Sequence, residues 1–185
     1  MNSHPAWRPV RARWLLAVRA AWLAIGALAA GLFVAGIPAE YAQLQSGCPT
    51  SACASSGGIA PIELSLLEKL GLSPGFFAVY GIALEIAFAL VFVVVAALIF
   101  WRKSSDRQAL FVALALLLFG TATQPYALHA LVAVRPALGL PVDMLHFLGS
   151  ASFSLFLFIF PDGRFVPRWT RWVALVWIAW LFPRY

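Results

Sequence analysis

Charge is what this sequence has least of. Only 11% of its 185 residues are charged and only seven are acidic, where a soluble domain carries roughly 25% charged residues. A water-soluble fold of this size cannot cover its core with so few. The two cysteines and three histidines are too few and too scattered for a disulfide-stapled secreted scaffold or a zinc site. Also missing are a glycine-rich phosphate loop, a Gly-x-Ser-x-Gly elbow and a His-Glu-x-x-His pair. Nothing therefore points to an autonomous enzyme, and no metal or cofactor is expected.

What is abundant is apolar surface. The chain is 63% hydrophobic, with a mean hydropathy of +0.89. The composition predicts an all-α, polytopic transmembrane helical bundle, because a helix needs ~20 mostly apolar residues to cross a ~30 Å hydrocarbon core. Four full spans are expected, at about 14–37, 76–101, 108–134, 142–160. A fifth apolar run, 172–182, reaches only about half the bilayer at ~1.5 Å per residue. It reads as a partial span in a chain that has been cut. Residues 1–13 form a basic N-terminal segment, and 38–75 a long loop on the opposite side.

Basic residues set the orientation. With the N-terminus cytoplasmic, Arg8, Arg11, Arg13, Arg19, Arg102, Lys103, Arg107, Arg164, Arg168 and Arg171 lie inside, against Lys69, Arg135 and Arg184 outside. The expected location is thus the cell membrane, multi-pass. The net charge of +6 is topological, and its partner is an anionic lipid headgroup rather than nucleic acid. Trp7, Trp14, Trp101, Trp169 and Trp172 fall at the same boundary, where indole rings settle.

Both cysteines, Cys48 and Cys53, lie in the outside loop. The economical reading is a structural disulfide. The alternative is a redox pair, although such pairs usually have two intervening residues rather than four. Later in this loop Ile62, Leu66, Leu67 and Leu70 recur near helical spacing, which predicts a short amphipathic helix.

Ionisable groups inside a span are expensive and need a reason. Glu85, Gln124, His129 and His146 are all expected in the outer half of the bilayer, and a candidate polar pocket is built from them. Each also has a plainer reading as a singly satisfied side chain. Pro125 is expected to kink the third span. Ala27, Gly31 and Ala35 in the first span, and Ser150 and Ser154 in the fourth, are spaced by four, as in helix contacts in lipid. On the inside, Pro161, Asp162, Gly163 and Arg164 carry strong turn chemistry, and Thr170 stands where it can cap the last helix.

That turn lies within LFIFPDGRFVPRWTRW (157–172). The stretch resembles the N-terminal multi-pass membrane region of sensor histidine kinases from Chloroflexota-like bacteria. LEKLGL (67–72), IFWRKSSDR (99–107) and the closing PRY are similar to that family too, as is the two-cysteine loop. The resemblance covers most of the chain from Tyr41 onward. It implies a sensory input module of a two-component signalling protein, whose cytoplasmic kinase output domain is missing from this chain, and it leaves room for a homodimer. No catalytic residue carries over. Two alternatives stay open: a membrane thiol–disulfide oxidoreductase using Cys48 and Cys53, and a small transporter or channel subunit built around Glu85.

Overall fold

The computed structural model describes residues 8–46, 65–67, 69–123, 126–159, 167 and 169–184. The described residues are helical throughout their ordered elements, with no strand among them. Helix α1 runs Arg8–Ser46, α2 Pro74–Lys103 and α3 Arg107–Leu118. A π-helical turn, Phe119–Thr123, follows α3. Then come α4 Ala127–Val134, a 3-10 turn Pro136–Leu138, α5 Gly139–Ile159 and α6 Thr170–Leu181.

Three stretches are long and apolar enough to cross a membrane: Leu15–Gln45, Pro74–Lys103 and Pro136–Ile159. The segments 107–123 and 127–134 make a fourth if taken as one span, bent by 55° at the break between them. The last helix, Thr170–Leu181, is shorter. Much of the surface is apolar: Trp101 is 86% exposed, Leu140 73% and Val176 71%. Water would not tolerate apolar cover of that extent, and lipid favours it.

Local chemistry sets several boundaries. Ser73 accepts the Phe76 amide at 3.2 Å, with Pro74 at the first helical position of α2, where its missing donor is harmless. Arg102 and Lys103 close α2 against its negative dipole end. Asp106 caps α3 through the Gln108 amide at 2.9 Å. Arg19 of α1 donates through Nε to the Ser104 carbonyl at 3.1 Å, fixing this turn beside the first helix.

The longest departure from the expected boundaries is α1. It begins inside the basic segment and passes through Pro38 to Ser46, eating into what was read as loop. A proline deletes one backbone donor, but neighbouring helices hold a helix together across such a gap in lipid. Its buried stripe explains the continuation: Trp22, Ala29, Phe33, Glu40 and Leu44 are buried at alternating spacings of seven and four, which keep one face of a helix with a period near 3.6. The far end of the stripe is itself packed, Leu44 meeting Leu67, Ala78 and Ile82.

Helix α3 occupies the centre. Leu110, Ala113, Ala115, Leu117 and Leu118 are buried on several of its sides, against α1, α2 and α5. Helix α2 is peripheral, buried only along Ala78, Ile82, Ala89 and Ala96. Alanines dominate these seams because helices in lipid associate by close backbone approach.

The small-residue stripe Ala27, Gly31, Ala35 does not serve this purpose. All three are exposed, and a Cβ on Gly31 would meet nothing within 4 Å. The buried face of this segment runs instead through Gly26, Ala29 and Gly36. At Gly36 a Cβ would overlap the Ala127 carbonyl of α4. In α5 Ser154 does mark a contact, accepting from Trp177 Nε1 of α6 at 3.2 Å. Thr170 is not a cap: its hydroxyl donates back to the Pro167 carbonyl at 2.8 Å, and Trp169 holds the N-cap position.

Candidate functional site

The fourth apolar stretch is discontinuous, and the break carries the polar chemistry. Thr121 Oγ1 donates to the Leu117 carbonyl at 2.8 Å, and Thr123 Oγ1 to Leu118 at 3.4 Å. These bonds turn hydroxyls back onto the helix where its backbone pattern widens to π. Gln124 and Pro125 lie outside the described residues. A proline at that point supplies no amide for the preceding turn. Tyr126 follows, and its amide heads α4 with no side-chain cap of its own.

Glu85, half-buried on α2, fills that role. Its Oε1 accepts the Tyr126 backbone N–H. A carboxyl at a helix N-terminus meets an orphan donor and the positive end of the helix dipole. The reason for an acid deep in an otherwise apolar helix is thus a broken neighbour that needs an acceptor.

On α1 the carboxyl of Glu40 stands against that of Glu85, close enough for the two to interact directly. Glu40 is only 5% exposed. Two carboxylates are acceptors only, so a hydrogen bond between them requires a proton on one. The Oε2 atoms of both are buried with no hydrogen-bond partner. The geometry therefore gathers two carboxyls and one backbone amide where α1, α2 and the head of α4 meet.

The two membrane histidines come together separately. The rings of His129 on α4 and His146 on α5 lie 4.8 Å apart between centroids, tilted by 40°. His146 is buried and His129 exposed. Two imidazoles make an incomplete metal site, and no group of three His, Cys, Asp or Glu occurs among the described residues. The expected four-residue pocket is thus divided in its contacts: Glu85 pairs with Glu40 and Tyr126, the histidines pair with each other, and Gln124 falls outside the described residues. Cys48 and Cys53 also fall outside them, as do Pro161, Asp162, Gly163 and Arg164.

Glu40 is the residue that reading the chain for spans missed. A first span that ends at Ile37, with the loop beginning at Pro38, puts Glu40 in the loop. Its signal was its register: Phe33, Glu40 and Leu44 continue one helical face beyond the proline. The chain matches no known family model, no curated protein and no solved structure.

Proposed function

We propose that the chain is a membrane-embedded sensory input module, inserted with its N-terminus in the cytoplasm as four spans and a partial fifth, whose responsive element is the Glu40–Glu85 pair at the helix break. The observation that carries this reading is the approach of two carboxyls on different helices, Glu40 being buried and Glu85 also holding the Tyr126 amide; a pair so placed shares one proton in preference to carrying two charges. Adding or removing that proton changes the charge facing the head of α4. It thereby biases how α1, α2 and α4 meet, the kind of local electrostatic event that switches use. The resemblance of residues 157–172 to histidine-kinase membrane regions supports a signalling output.

The test joins the chain to a histidine-kinase output domain in proteoliposomes and follows autophosphorylation between pH 5 and pH 8. The wild-type response changes with pH, and Glu85→Gln, which keeps the acceptor and donates as a protonated carboxyl would, flattens it. A profile that Glu85→Gln leaves unaltered contradicts the proposal.

One second reading is favoured by the same break. Discontinuous helices whose half-helix ends face charged groups are the habitual binding elements of transporters. A proton flux carried by the chain alone in sealed vesicles, lost in Glu85→Gln, favours transport over sensing.

A further inference from the structure

At the opposite end of the bundle from the carboxyl pair, a groove of about 280 Å3 runs between α1 and α3. Its walls are apolar side chains, among them Leu15, Val18 and Trp22 from α1 and Phe111 and Leu114 from α3, with Arg107 at one end. From Leu15 to Ile25, both lining residues, the groove extends ~15 Å by helical rise. That is half of a ~30 Å hydrocarbon core, the depth of a single leaflet.

Two further features concern polar groups. Arg107 is exposed at the first position of α3. Asp106 caps that helix start through Gln108, and Arg19 ties the adjoining Ser104 carbonyl to α1. With Arg102 and Lys103 beside it, the α2–α3 turn and the Arg19 tied to it bring together four cations and one acid, Asp106. Within the groove wall, Trp22 is 8% exposed and stacks on Phe100 with ring centroids 4.3 Å apart. Its Nε1 is a buried donor without a hydrogen-bond partner, whereas buried indole N–H groups ordinarily have one.

We propose that the groove is a site for one anionic glycerophospholipid, with an acyl chain lying between α1 and α3 and its phosphate on Arg107. A guanidinium matches a phosphate by paired hydrogen bonds as well as by charge. The glycerol ester carbonyls sit below the phosphate and bring the acceptor that Trp22 Nε1 lacks. A free anion would leave the apolar walls uncovered, and a neutral lipid would leave the arginine unmatched. The inference is independent of the sensory reading.

Native mass spectrometry of the whole chain, released from micelles holding equal amounts of dioleoyl phosphatidylglycerol and dioleoyl phosphatidylcholine, tests it. The wild-type chain retains one phosphatidylglycerol in preference by about fivefold, the value of one arginine beside an anionic headgroup. Arg107→Gln removes the preference, and Trp22→Phe weakens retention of the lipid. Leu114→Trp, which fills the groove, removes the bound lipid altogether. Arg102→Gln, an equal loss of charge at a residue that does not line the groove, leaves the preference in place. Arg107 and Trp22 variants that behave as wild type would overturn the site. So would an Arg102→Gln effect as large as that of Arg107→Gln. Circular dichroism confirms that each variant is folded, and the exposed Arg107 carries the test if Leu114→Trp is not.

Discussion

Glu85 of α2 accepts the backbone amide of Tyr126 at the head of α4 and stands carboxyl to carboxyl with Glu40 of α1. One carboxyl thus links three helical segments, and it does so where the fourth apolar stretch is interrupted. An interrupted helix exposes unsatisfied backbone groups, and within a bilayer these must be met by protein. The break and the acid account for each other.

The first consequence concerns stability. Glu85→Ala leaves the Tyr126 amide without its acceptor and Glu40 without its partner. It should destabilise the bundle by about 1–3 kcal/mol, the cost of stranding buried polar groups. Glu85→Gln should be milder, since its amide oxygen still accepts from Tyr126 and its NH2 can donate to Glu40. Unfolding from mixed micelles by added sodium dodecyl sulfate measures both, and the order alanine worse than glutamine is the expected outcome.

A second consequence separates two glycines of α1. Gly36→Leu must displace the Ala127 backbone, so a loss of about 1–3 kcal/mol is expected from overpacking. Gly31→Leu meets open space and should be nearly neutral. The same detergent titration reads both. Equal losses would mean that α1 is rotated about its axis.

Much of the architecture was legible in the residues, for a physical reason. Apolar length alone marks α2 and α5, while the caps at Ser73 and Asp106 that set where α2 and α3 begin emerge only in the structure. The far end of α1 was not legible, because a proline is a reliable stop in water but a tolerated interruption among packed membrane helices. Choosing a helix face by small residues failed at Ala27 and Gly31 for a related cause. In a span where nearly every residue is apolar, hydrophobicity no longer separates core from lipid, and only packing does. Glu85 stood out as a deep charge, yet its partners were hidden: one is a backbone amide, and the other had been assigned to a loop.

Orientation is tested by labelling. In proteoliposomes or cells carrying Cys48→Ser and Cys53→Ser, a cysteine at Ala137 should react with a membrane-impermeant maleimide added outside, and one at Ser105 should not. The reverse pattern would invert the proposed topology without altering the bundle.

The central claim is a single proton held between Glu40 and Glu85. Infrared difference spectroscopy of the reconstituted chain at pH 7 reads it directly, through the carbonyl stretch of a protonated carboxyl and its shift in heavy water. The account predicts such a band in the wild type and its loss in both Glu40→Gln and Glu85→Gln, because each variant replaces one carboxyl with an amide that donates without needing the proton. Absence of the band in the wild type, or its persistence unchanged in either variant, would contradict the account.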